Sequence, residues 1–506
     1  MSILLLAIVG LCCLLCVAAG LAASWQRQLG SEDYFLAGRT LPWYAVGLSI
    51  AGTSFRLEVW LSMVALACAY GLAAASLAWG SLLALGALGW ILLPYLYRKK
   101  LYGTAEFLER RYSPTTRGVF VLLALPALVL GVLAPALYAG GMVLCEAGLG
   151  QTAGSSAWVF AACVAVVALA TAAYSIYGGL MAGVWSGAMG MIIFMIGAAV
   201  LAAAAVSQAG WAEMLEANNP PRLSLLLGAS HPVLPWTGVL AYVLLVAVWQ
   251  AAASPIIVQR CLGARSERDA KLGIATAVVL QLILAGLIVL PGLAAAVLKW
   301  RGSSGDFNLA MFVEGVLGRK GPLAAVGQGL VVSAALAAVM SAVAGTLNAV
   351  SSLWTLDLCQ DLLCKNVSEA ELVGRGRWSS LAALVLGAAA VPLLFLWEKG
   401  VLDFILEVAA VLGPPVAVLL LGAFFWSRAH GRAATATLLV GVLAGLAMWI
   451  AADVGQEVPA WLKPVLNRAG LCGAVSLLVL VLGTLAIPQN PRELYDPDST
   501  WSFGWR

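Results

Sequence analysis

The sequence predicts an all-α polytopic membrane protein with about thirteen transmembrane helices. Three observations lead there. Of the 506 residues, 62% are hydrophobic and only 10% charged, and the mean hydropathy is +0.97, which leaves too little polar surface for a water-soluble globule. Apolar runs near or above the roughly 17 to 25 residues that span a bilayer recur along the whole chain, whereas the ten-residue alternating segments of a membrane barrel do not. The charges gather in the stretches between those runs.

The first run, 3–23, lacks a basic n-region and a clear A-x-A site, so it reads as a retained helix, with a cleaved signal peptide as the alternative. The second, 43–69, contains the small residues Ala51-Gly52-Thr53-Ser54, where a membrane helix can be interrupted. Spans at 75–97 and 118–146 flank a basic stretch from Arg98 to Arg117. Those at 155–177 and 182–207 are separated by Gly178-Gly179. The span at 237–258 carries a second interruption, Gln250 to Pro255, because proline removes an amide and clashes with the preceding turn. The runs at 271–298 and 322–356 are long and apolar, and 378–397, 401–425, 433–452 and 468–487 complete the set. The two interrupted spans lie five helices apart, the spacing that an inverted repeat of five plus five helices gives its two broken members.

Arg56 sits inside the second span. At roughly 1.5 Å per residue it lies about 20 Å from either end, near the bilayer midplane. A guanidinium facing lipid there costs at least roughly 3 kcal/mol, so Arg56 marks a candidate functional site. Glu58 is two residues on. Residues two apart do not face each other on a regular helix, so the two can pair only if the chain is unwound between them.

Most of the 28 Lys and Arg residues fall in loops on one side, among them Arg98, Arg110, Arg111, Arg117, Arg260, Arg265, Arg268 and Lys271. By the positive-inside rule the N-terminus is outside and the C-terminus cytoplasmic, in the plasma (inner) membrane. The net charge of +4 therefore reports topology, and no extramembrane stretch is large enough for a nucleic-acid-binding domain. The ten cysteines are scattered and Cys13-x-x-Cys16 is their one close pair, so no disulfide framework is implied. His231 and His430 lie on opposite sides, which argues against a histidine metal site or triad, and no cofactor is expected. Asn366-Val367-Ser368 is a glycosylation sequon in an inside loop and is discounted. Apart from Arg56 and Glu58, titratable groups are nearly absent at membrane depth, which argues against an enzyme.

Several segments carry a family resemblance. Asp33-Tyr-Phe-Leu-Ala-Gly-Arg-Thr-Leu-Pro-Trp43, Thr104-Ala-Glu-Phe-Leu-Glu-Arg-Arg-Tyr112, Tyr174-Ser-Ile-Tyr-Gly-Gly-Leu180, Gln259-Arg260 and Leu336-Ala-Ala-Val-Met-Ser-Ala-Val-Ala-Gly-Thr-Leu-Asn348, closing on Thr355-Leu-Asp357, follow one order along the chain. Together they resemble the solute:sodium symporter family. The resemblance implies an N-terminal extra helix and loop (1–32), a LeuT-like ten-helix inverted-repeat core (33–426), and two C-terminal helices with a short cytoplasmic tail (427–506). It implies a secondary transporter that moves a small organic solute across the lipid bilayer by alternating access, coupled to Na+, of unknown oligomeric state. The ion's ligands would be the carbonyls of Gly52, Phe55 and Ala338 and the hydroxyl of Ser341, all hard oxygen donors.

Three departures qualify that expectation. The family's second serine beside Ser341 falls on Ala342, its acidic residue after the Gly-Gly turn falls on Gly187 in Ser186-Gly187, and Arg56 stands where a small residue is usual. Arg56 thus has three readings: a fixed cation that replaces the ion in a sodium-independent exchanger or uniporter, a structural partner of Glu58, or a bidentate partner for a substrate carboxylate. Positions that bond sugar in sugar-transporting relatives fall on the apolar Val59, Ala78, Ala247 and Leu406, and only Ser81 stays polar, which disfavours sugar by the familiar site. Tyr70, Trp79, Trp249 and Gln250 lie near the expected cavity. Asp403 and Glu407 read as a solvated helix start, and 369–377 as a charged inside loop. A membrane sensor module is the alternative of another class.

Overall fold

The computed structural model describes residues 3–25, 30–148, 156–218, 222–300, 309–318, 321–363, 367–397, 400–453 and 458–486. Among these, eleven helices are long and apolar enough to cross a membrane, against the thirteen expected. The difference comes from compound helices. Leu57–Arg98 runs for 42 residues and Ala157–Ala209 for 53, whereas about 20 residues suffice for a hydrocarbon core of about 30 Å. Each bends at a glycine with positive φ: Gly71 (76°) and Gly179 (56°). No other residue fits there, because a Cβ would sit 2.0 Å from the Arg222 carbonyl oxygen at Gly71 and 2.4 Å from that of Tyr34 at Gly179. The Gly178-Gly179 separation read from the sequence is therefore a kink within one helical run.

The second expected span, 43–69, is two helices, Trp43–Ser54 and Leu57–Tyr70. Ala51 to Ser54 stay helical and the interruption falls at Phe55 (φ −98°, ψ 64°) and Arg56 (φ −64°, ψ 155°). Small residues at 51–54 serve packing: the Cβ that Gly52 lacks would lie 3.2 Å from the Gly187 carbonyl. The seventh span also breaks, at Ser254 (φ −59°, ψ 122°), before the helix Pro255–Leu262. The proline there opens that helix as its first residue, where its missing amide costs nothing.

Pro322–Ser352 forms the centre of the bundle, with every side chain from Val331 to Ser352 buried. Its run of Ala, Gly and Ser lets neighbouring backbones approach closely, as membrane helices require when apolar burial against lipid offers little gain. Gly197 on Ala157–Ala209, for example, meets Ala334 and Leu330 directly. Ile3–Ser24 packs on the outside of this pair, with Gly20 against Tyr174.

Several charged residues assigned to loops are instead buried. Arg111 donates to the carbonyls of Ala423, Trp426 and Ala429, closing the end of Val401–Phe425. Arg117 bridges Asp357 at 2.6 Å and Glu109 at 2.5 Å. Arg260 is 1% exposed. Glu407, expected to be solvated, is 2% exposed and paired with Arg468 of the last helix. The 369–377 segment is helical, opened by a Ser368–Glu371 capping box, and the Ser31 amide donates to Glu369 at 2.7 Å. Asn366 of the sequon and the segment after Ala486 lie outside the described residues.

Candidate functional site

The break at Phe55 and Arg56 opens onto a cavity of about 150 Å³ between the broken helices and the helices Ala75–Ala87, Pro114–Leu128 and Val401–Phe425. Of the residues predicted for coupling or substrate, Arg56, Val59, Ala78, Ser81, Gln250 and Leu406 line it, as does Phe55. Ala247 does not line it and is fully buried. Glu58 is also behind the wall, its side chain 1% exposed, and its carboxylate lies 3.2 Å from Arg56 Nε. The contact is an ion pair and not an aligned hydrogen bond, since neither Glu58 oxygen has a hydrogen-bond partner. The unwound Phe55–Arg56 backbone is what brings residues 56 and 58 together. Trp249 lines the cavity; Trp79 instead donates to the Leu282 carbonyl, and Tyr70 packs edge-on to His231.

The cavity also holds polar groups that the motif reading missed. Gln281 Nε2 donates to Ser54 Oγ at 2.9 Å, and Tyr242 OH donates to Gln250 Oε1 at 3.0 Å. Gln281 was visible as a single amide in a long apolar run. Tyr242 carried no signal apart from its place on the seventh span.

Next to the cavity, and reaching its wall at Thr53, is a cluster of hydroxyls and small residues. Helix Trp43–Ser54 ends at the break, so only Ala51 among its last carbonyls receives a following amide, from Phe55 at 3.2 Å; the carbonyls after it are the orphans that any helix end exposes. Ser341 Oγ from the central helix lies 3.5 Å from Thr53 Oγ1. A Cβ on Gly52 would be 3.5 Å from the same Ser341 oxygen, and one on Gly187 would be 3.0 Å from it and 3.1 Å from Ser49 Oγ. Thr53 donates its proton to the Ser49 carbonyl at 2.7 Å, so towards Ser341 Oγ it can act only as an acceptor. Ala342 is fully buried and contributes no oxygen. Gly52, Ser341 and the break are therefore brought together, with Ala338 one turn before Ser341 on the same helix, and Thr53 is a further oxygen donor absent from the predicted set.

This cluster sits beside a buried cation. Arg260 donates from Nε to Ser49 Oγ at 2.8 Å and from Nη1 to the Ile256 carbonyl at 2.5 Å. Its Nη2 has no hydrogen-bond partner. Gly345 makes room for it, since a Cβ there would lie 2.6 Å from Nη2.

Comparison with known proteins follows this geometry. The sodium:solute symporter family model matches residues 34–441. The chain belongs to the sodium:solute symporter family. Among its symporter-family relatives, the sodium/glucose cotransporter of Vibrio parahaemolyticus is 30% identical over 441 residues, covering 83% of this chain and 79% of the relative. The human sodium/myo-inositol cotransporter is 26% identical over 552 residues, covering 98% and 75%. The fold matches a substrate-bound outward-open Na+-coupled sialic acid symporter with a TM-score of 0.80 at 19% identity, over 97% of this chain and 99% of that one. A structure of Mhp1, a nucleobase-cation-symport-1 transporter, aligns with a TM-score of 0.55 at 13% identity, over 92% and 98%. The LeuT-like fold expected from the resemblance is the one observed, and these relatives are cotransporters, not enzymes.

Proposed function

We propose that this integral membrane protein is a sodium-coupled secondary transporter that carries a small organic solute through the cavity at the helix break. The observation that carries the reading is the separation of charges at the break. Arg56 turns to Glu58, while the hydroxyls of Ser341 and Thr53 meet each other beside Gly52, with Thr53 on the cavity wall. A guanidinium that occupied the ion's place would bond those oxygens, and its ion partner is Glu58 instead. The reading assigns Na+ to the carbonyls of Gly52, Phe55 and Ala338 and the hydroxyl of Ser341, with Thr53 Oγ1 supplying the oxygen lost at Ala342. The ten-helix core would be residues 33–426, rocking around the midplane site. The basic residues in the loops of one side support a cytoplasmic assignment for that side, with the N-terminus outside, and the reading assigns the protein to the plasma membrane.

The test is uptake into proteoliposomes with and without an inward sodium gradient. Wild-type uptake should depend on sodium, and Ser341→Ala combined with Thr53→Val should lower apparent sodium affinity by roughly tenfold, as loss of a ligand worth about 1.4 kcal/mol would. Sodium dependence unchanged in that double variant overturns the assignment.

A further inference from the structure

Resting on the symport reading, we propose that the solute is a small organic acid: a monocarboxylate with a compact apolar body, its carboxylate held by the terminal amino groups of Arg56. The reasoning starts from which hydrogen-bonding groups of the cavity are already used. The hydroxyl protons of Thr53, Ser54 and Ser81 go to carbonyls of their own helices, at 2.7, 3.0 and 2.7 Å. Tyr242 donates its proton to Gln250 and Gln281 donates to Ser54, which leaves the Ser254 hydroxyl and the Gln250 amide as neutral donors of the wall. Arg56 is different. Its ion pair uses Nε, directed at Glu58, and it lines the cavity with its side chain 11% exposed. Two terminal amino groups in a fixed planar fork are left for a ligand, and that fork matches the two oxygens of a carboxylate.

The rest of the wall suits the remainder of such a molecule and not a polyol. Val59, Met63, Leu66, Leu77, Leu406 and Trp249 are apolar. A sugar or inositol carries a hydroxyl on nearly every ring carbon, and this largely apolar wall offers partners to only some of them, so several would be buried unpaired at roughly 1 to 3 kcal/mol each. Size points the same way. A cavity of about 150 Å³ is the scale at which an apolar hole holds benzene, a molecule of about six non-hydrogen atoms.

Charge balance ties this ligand to the coupling ion. Arg56 and Glu58 together are neutral, so a bound carboxylate puts one negative charge at the break, in addition to the positive charge of Arg260 beside Ser49, and that carboxylate attracts a cation held close to it. A sodium ion at the Phe55 carbonyl, one residue from Arg56, would be the nearest such cation. Substrate and ion should therefore each tighten the other's binding, because coupling between two sites is reciprocal.

The full-length protein, purified in detergent, is tested by thermal stabilisation with benzoate, benzamide, benzyl alcohol, glucose and myo-inositol, in NaCl and in KCl. Benzoate should bind at least roughly 30-fold more tightly than benzamide, the value of a charged bidentate contact, and more tightly in NaCl than in KCl. Arg56→Gln with Glu58→Gln keeps the pair neutral and should lower benzoate affinity by roughly 30-fold while lowering that of benzamide, a neutral acceptor, by no more than about threefold. Benzamide matching benzoate in the wild-type protein overturns the proposal without any variant. So does stabilisation by glucose or myo-inositol alone; if NaCl enhances it, the sodium-coupled reading survives. Benzoate binding that is equal in NaCl and KCl and still lost in the double variant has the opposite meaning: it upholds the acid site and removes the sodium coupling.

Discussion

Arg56 and Arg260 both lie deep within the helix bundle of this transporter, and they are held in opposite ways. Arg56 stands at a helix break beside a carboxylate and opens onto the cavity. Arg260 is wrapped by three helices, with the Ser49 hydroxyl, the Ile256 carbonyl and the notch at Gly345 around it, and one of its amino groups has no hydrogen-bond partner. The first has a charge partner and free donors on the cavity side. The second has neither, and its donors are enclosed. The contrast teaches that burial of a charge does not by itself mark a binding site: what distinguishes Arg56 is that its unused donors face space that a solute can enter.

The comparison is broken or upheld most sharply by removing one member of the Arg56–Glu58 pair. Arg56→Gln strands a carboxylate that is 1% exposed, and loss of one partner of a buried pair costs about 3 to 5 kcal/mol. Adding Glu58→Gln should recover most of that loss, because the double variant leaves no net charge behind. Unfolding of the purified single and double variants in a double-mutant cycle measures it. A single variant as stable as wild type would show that Glu58 has other support and that Arg56 is not its structural partner.

A smaller effect is expected at the cluster between the two arginines. The Cβ of Gly187→Ala would sit 3.0 Å from Ser341 Oγ and 3.1 Å from Ser49 Oγ, closer than most Cβ contacts, and both neighbours are short side chains with little room to yield. Apparent sodium affinity should fall roughly three- to tenfold, about 0.7 to 1.4 kcal/mol, alongside a loss of stability of about 1 kcal/mol from the tight contact. An unaltered sodium response would place the ion elsewhere. The same geometry bears on the acid that the family resemblance implies at this position: a carboxylate at residue 187 would stand between those hydroxyls, beside the Ser49 that Arg260 bonds. Its absence leaves Arg260 without an anion at the place where one would fit.

Much of this was legible in the sequence, for a physical reason. Spans announce themselves because hydrocarbon demands about 20 apolar residues from any helix that crosses it, and Arg56 stood out against that background. The break itself was misplaced by a few residues, since Gly52 and its neighbours look like a weak point when they are in fact a packing surface against Gly187. The buried inner arginines were misread for a related reason. Arg111, Arg117 and Arg260 fall at the ends of apolar runs, where a charge is ordinarily solvated, and nothing local distinguishes a snorkelling side chain from one that turns inward to cap Val401–Phe425 or to meet Asp357. Their partners lie far along the chain, 318 residues away for Arg111 and Ala429, so only the fold reveals them. Thr53 and Gln281 were hidden similarly: a single hydroxyl or amide in a helix becomes a site only when another helix brings something to it.

The smallest expected effect, and the one that bears most directly on the contrast, is on the stability of Arg260→Met. Methionine keeps most of the arginine's length and volume while removing a charge that has no carboxylate to repay its desolvation, and replacement of buried charges by apolar groups of similar size is often neutral or stabilising. Two hydrogen bonds are lost, at 2.8 and 2.5 Å, but both acceptors have alternatives, since Ser49 can turn its hydroxyl to a carbonyl of its own helix and the Ile256 carbonyl belongs to a regular helical turn. The net change should stay within about 1 kcal/mol, with the sodium response of Arg260→Met at least as strong as that of wild type, because a positive charge next to the Ser341 cluster has been taken away. If Arg260→Met instead destabilises the protein by as much as Arg56→Gln, then Arg260 has a partner of comparable strength, and the two arginines differ only in their access to the cavity.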